Sequence, residues 1–142
     1  MDIDFSRLEQ LSEKLNHSSE SLNEAMRVVE GKFAQLRLGV DASIELSTGP
    51  LKNQQGLQIG EVSTHFTYAK RLGKWGLFFV DVDDSGEELS CDPFSQAPRE
   101  LRIQALNKVP ELIKKLEQQA EELLRELRSS QQTVEALLEK KT

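Results

Sequence analysis

A chain of 142 residues that is 37% hydrophobic and 30% charged has room for one modest core and leans towards long, solvated helices. Its net charge of -6 sets it against polyanions such as nucleic acid and anionic lipid, and its longest apolar run, Leu77-Phe78-Phe79-Val80, is far too short to span a bilayer. One cysteine, Cys91, excludes an intrachain disulfide, and the acidic start Met1-Asp2-Ile3-Asp4-Phe5 lacks the basic and apolar regions of a secretion signal, so a cytoplasmic location is expected.

The first element reads as a helix over residues 5–37. Asp4 or Ser6 can cap its free N–H groups. Leu8, Leu15, Leu22, Val29 and Leu36 recur every seventh residue, with Leu11, Ser18, Ala25 and Lys32 at the companion position. A seven-residue period marks a helix that packs along a seam.

From Val40 the period changes to two, and Val40, Ala42, Ile44 and Leu46 alternate with polar residues as a half-buried strand does. Ser47-Thr48-Gly49-Pro50 and residues 52–56 read as a polar connection. The second strand opens at Leu57 and Ile59 and continues through Val62, Thr64, Phe66 and Tyr68; a bulge at Gly60-Glu61 would restore one face to the core. Residues 70–74 form a basic hairpin turn around Gly73. The third strand, residues 75–82, is apolar on both faces and needs cover on both. Asp83-Asp84-Ser85-Gly86 is a turn, and residues 87–91 suit a short fourth strand. The expectation is a three- or four-stranded antiparallel meander over residues 39–92.

The C-terminal part reads as helices over residues 97–107 and 110–139, with Pro98 in the first turn and a break or kink at Pro110. Ile113, Leu116, Ala120, Leu123, Leu127, Ser130, Val134 and Leu137 make a second heptad seam. Set antiparallel, the two seams match in seven layers: Val29 with Leu116, Ala25 with Ala120, Leu22 with Leu123, Ser18 with Leu127, Leu15 with Ser130, Leu11 with Val134 and Leu8 with Leu137. The fold class is therefore α+β, with the long helices forming an antiparallel coiled coil beside the sheet. Phe5, Met26, Phe33, Leu112, Leu124 and Leu138 lie beside the seams and widen the apolar stripe beyond what one partner helix covers, so a homodimer or higher assembly is expected. In its order of helix, hairpins and helix, and in chain length, the layout is similar to that of prefoldin subunits; no site residue follows from that likeness.

Motifs that carry chemistry are scarce. There is no glycine-rich phosphate loop and no nucleophile elbow, so no enzyme and no cofactor are expected. Neither His17 nor His65 has a second ligand at metal-binding spacing. Cys91 precedes a helix start, where a thiol pKa can fall, but a buried small residue is the better reading. Asp81-Val82-Asp83-Asp84-Ser85-Gly86 with Asp92 partly matches a calcium loop. It departs at Glu88, at Asp92 itself and in the strand that precedes it, so an acidic turn is expected and no metal.

Two surfaces remain. Tyr68, Lys70, Arg71, Lys74 and Trp75, with Phe78 nearby, combine bases and aromatics as a stacking surface for an anionic partner does, although the acidic chain makes nucleic acid an improbable one. Leu77, Phe79, Val80 and Val82 on the doubly apolar strand suit an assembly surface. The expected function is that of a non-enzymatic oligomeric interaction protein (a scaffold, adaptor or holding chaperone) whose partners are its own copies and another protein. A ligand- or nucleic-acid-binding module built on the hairpin of residues 68–75 is the alternative.

Overall fold

The computed structural model describes residues 3–140; Met1, Asp2, Lys141 and Thr142, the ends of the expected 1–142 unit, lie outside the described residues. In chain order the elements are α1 (Ser6–Leu36), β1 (Ala42–Lys52), β2 (Gln58–Arg71), β3 (Lys74–Asp83), β4 (Glu88–Pro93), a 3-10 turn (Phe94–Gln96) and α2 (Arg99–Glu139). The four strands form one antiparallel sheet in the order β1-β2-β3-β4. The expected helix, meander and helix are all present. Among the described residues no helix is long and apolar enough to cross a membrane.

Local chemistry explains the boundaries. The N-cap position of α1 is Phe5, not Asp4 or Ser6; the Asp4 carboxylate instead accepts the Ser6 N–H at 2.9 Å as well as its hydroxyl, which holds the Asp4 carboxyl below its usual range. Arg37, in the left-handed conformation (φ 51°, ψ 43°), ends α1. The β2–β3 turn is the two-residue pair Leu72-Gly73, both left-handed (φ 52° and 82°), the conformation that matches the twist of a tight hairpin.

β1 is longer than expected. Ser47-Thr48-Gly49-Pro50, read as a connection, continues the strand and pairs with residues 61–64. Proline is tolerated there because β1 is an edge strand with only one ladder to maintain. The β1–β2 register shifts at two places. Leu46 is the extra residue between Glu45 and Ser47, and Ile59 is the extra residue opposite Leu51 and Lys52, one position before the expected bulge.

One sheet face carries Ala42, Ile44, Phe66, Tyr68, Leu77 and Phe79 into the core. Against it α1 sets Met26 and Phe33, and α2 sets Ala105, Leu112 and Leu116; Phe94 closes one end by stacking on Phe79 at 5.7 Å. Each of the larger apolar side chains among them, such as Ile44, Phe66, Leu77, Met26 and Leu112, contributes roughly 1.5–3 kcal/mol on burial. Lys115 of α2 reaches across to β1, donating to the Ser43 carbonyl at 3.0 Å.

Two expectations give way. First, α2 is continuous through Pro110. The ring removes one hydrogen bond, but both Pro110 and Leu106, whose carbonyl loses its partner, are exposed, so water can take the orphan acceptor. Second, the helices do not form the antiparallel coiled coil. Arg99 donates to Asn16 (3.3 Å) and Arg102 to Asn23 (2.8 Å), while Phe33 and Leu36 flank the same hollow as Leu116 and Ala120. Both chains advance together, so α1 and α2 run in the same direction where they meet. The sheet face outcompetes the seams. Met26, Phe33 and Leu112, which lie beside the heptad positions, are buried; of the seam residues Leu116 is buried too, whereas Leu8, Leu11, Leu15, Leu127, Val134 and Leu137 are exposed.

Candidate interaction surfaces

Because the helices are parallel and staggered, each projects past the sheet at an opposite end. Every α1 residue from 6 to 18 is exposed, and so is nearly all of α2 from 121 to 139, where only Leu123 is partly buried. These segments keep their apolar stripes: Leu8 is 63% exposed and Leu137 57%. Phe5, Leu124 and Leu138 extend the stripes sideways. The chain's own core leaves these stripes uncovered.

The basic and aromatic hairpin is divided by its own register. Tyr68 is buried, its ring packed edge-on to Phe33 at 5.0 Å and stacked on Trp75 at 5.3 Å. Burial, with the Glu30 charge nearby, raises the Tyr68 hydroxyl pKa. Arg71 is engaged on the opposite face by Glu88 at 3.0 Å, and Phe78 also lies on that face by strand alternation. Lys70 and Lys74 remain exposed. The six expected residues therefore do not form one platform. What does form is a hollow of about 420 Å³ at the C-terminal end of α1, where Trp75, Tyr68 and Phe33 meet Lys74 and Arg37. Arg37 and Phe33 were not among the residues expected there; the exit Arg37-Leu38-Gly39, which stops α1 above the hairpin, is the sequence signal that brings them in.

The four expected assembly residues are also divided. Leu77 and Phe79 are interior, covered by the chain's own helices. Val80 and Val82 point the other way, into a shallow hollow of about 320 Å³ that no helix residue lines; Val80 is buried among its neighbours and Val82 is partly open.

That second face settles the geometry of three further residues. His65, Val80 and Cys91 stand opposite one another on adjacent strands, so Val80 separates His65 from Cys91 by two strand spacings, roughly 9.5 Å. Burial pushes the Cys91 thiol above its usual pKa, which disfavours the thiolate. His65 faces the Ser63 hydroxyl at 2.9 Å.

The acidic turn is satisfied internally. Asp83 accepts the N–H groups of Ser85 and Glu87 at 2.9 and 3.0 Å, which with the Ser85 hydroxyl hold its carboxyl below the usual range. Asp81 accepts from Thr64 at 2.7 Å and Ser90 at 3.1 Å. Among the described residues, no three of His, Cys, Asp and Glu converge as a metal site would require.

No family model, curated protein or solved structure matches this chain.

Proposed function

We propose that this protein is a non-enzymatic interaction protein that works as an assembly of more than one chain, in the manner of a scaffold, adaptor or holding chaperone. One observation carries the reading: two long helical overhangs at opposite ends of the sheet expose heptad stripes that the chain's own core leaves uncovered. The elevated Cys91 thiol pKa and its separation from His65 support a non-enzymatic role. The lone cysteine suits a reducing interior and supports a cytoplasmic setting. Light scattering across micromolar concentrations tests the reading. A mass of two or more chains is expected, and a single-chain mass throughout the range overturns it.

A second reading draws on the hollow beside Trp75, where two cations, Arg37 and Lys74, flank an aromatic wall. That chemistry suits a small planar anion, held by charge and by stacking. Trp75 is the single tryptophan, so its fluorescence reports directly. Saturable quenching by a nucleoside monophosphate, weakened in Lys74→Ala, supports the reading, and an unchanged spectrum at millimolar ligand ends it.

A further inference from the structure

We infer that two copies of the chain pair about a two-fold axis, with the α1 overhang of each copy lying antiparallel on the α2 overhang of the other, Leu8 against Leu137, Leu11 against Val134 and Leu15 against Ser130. The inference rests on the self-assembly reading and gives it a partner and a register.

The seam match is the first support. Residues 6–18 and residues 121–139 present their apolar positions at the same alternating steps, and in antiparallel register each seam position meets a seam position. Inside one chain that register is out of reach. Asn16 lies beside Arg99, so α1 residue 11 falls before the start of α2, while Val134 is far along it. At 1.5 Å per residue, Leu11 and Val134 of the same chain stand roughly 60 Å apart. A second copy supplies the missing partner.

Symmetry is the second support. The helices run in the same direction and overhang opposite ends, so a two-fold axis across them reverses both at once. The α2 overhang of the second copy then lies along the α1 overhang of the first, antiparallel, and the reciprocal junction forms by the same operation. The interface is isologous and closes at two chains. The segments are commensurate, roughly 20 Å for residues 6–18 and roughly 28 Å for residues 121–139.

Charge selects this pairing over its rival. Residues 121–139 carry five glutamates against two arginines, a formal net charge of -3, so two α2 overhangs laid on each other would oppose like charge. Residues 6–18 carry Arg7 and Lys14 against Glu9 and Glu13 and are formally neutral. An α2 overhang meets less repulsion on α1 than on another α2.

The test uses the full chain with Cys91→Ser, into which Leu11→Cys and Val134→Cys are introduced separately. Oxidation of the two variants mixed is expected to link one chain of each kind, and neither variant alone is expected to give a comparable yield. Leu11→Glu is expected to reduce the mass to one chain with helix content unchanged, and Val134→Lys added on the other side to restore two chains. A two-chain mass without the mixed cross-link, or with Leu11→Cys linking to itself, overturns the register while leaving self-assembly intact. A single-chain mass, whether the overhangs stay bare or await a different protein, overturns both.

Discussion

Asn23 accepts a hydrogen bond from the buried Arg102 guanidinium at 2.8 Å, tying the middle of α1 to the first turns of α2. A charge-assisted bond in a buried setting is worth about 1.5–3 kcal/mol, and removing only the acceptor leaves the charge without its partner. Asn23→Ala is therefore expected to cost about 2 kcal/mol. Arg102→Met, which removes the charge and keeps most of the volume, is expected to cost less. Urea midpoints at constant m-value measure both.

The same pair shows what periodicity conceals. A heptad stripe fixes which side of a helix is apolar and says nothing about chain direction, since parallel and antiparallel seams share one spacing. Val29 and Leu116 suggested one packing; Asn16, Asn23, Arg99 and Arg102, polar residues with no periodic signal, disclose another. The sheet was legible because alternation is local: Ile44, Phe66 and Phe79 fall on the core face their parity assigns. Gly49 and Pro50 misled because their turn chemistry is equally compatible with an edge strand, and edge position is a property of the whole sheet. The hairpin platform dissolved for a related reason. Strand alternation sends Lys70 and Arg71 to opposite faces however close they stand in sequence.

Leu72 occupies a left-handed conformation (φ 52°) in a two-residue turn and is fully exposed. A leucine gains nothing there by packing and bears the steric cost of its side chain, whereas asparagine followed by Gly73 is the favoured pair. Leu72→Asn is expected to stabilise the fold by about 1 kcal/mol. A thermal midpoint that falls instead of rising would contradict this.

Pro110 costs α2 one hydrogen bond without ending it. Pro110→Ala restores the donor to the Leu106 carbonyl, and an interior helical proline is about 3 kcal/mol less favourable than alanine. A gain of roughly 1–3 kcal/mol is expected, read as a higher denaturation midpoint with unchanged helix content.

Glu30 bears on pH. β4 ends at Pro93 opposite Phe78, and the Glu30 carboxylate accepts the next N–H along β3, that of Leu77. Burial nevertheless raises the Glu30 pKa, its dominant influence. A carboxyl whose pKa is raised on folding contributes stability that is fully present below the ordinary glutamate range, about 4.3, and is lost as pH rises through the folded value. Glu30→Gln keeps an acceptor for Leu77 and removes the charge. It is expected to raise the melting temperature at neutral pH by more than at pH 4, flattening the pH profile; an equal effect at both pH values would contradict the assignment.

Leu112 and Leu127 are both leucines of α2, and their environments predict opposite behaviour. Leu112 is fully buried between α2 and the sheet, so Leu112→Ala is expected to cost about 2–5 kcal/mol at any protein concentration. Leu127 is 59% exposed on the overhang, so Leu127→Ala should leave the dilute chain within about 0.5 kcal/mol of the parent. Self-association stabilises the folded state by mass action, which makes the parent's melting temperature rise with concentration. In Leu127→Ala that rise should shrink, because the truncated side chain belongs to the overhang stripe and not to the core. Calorimetry at three concentrations separates the two effects: Leu112→Ala shifts the whole series down, and Leu127→Ala reduces its slope.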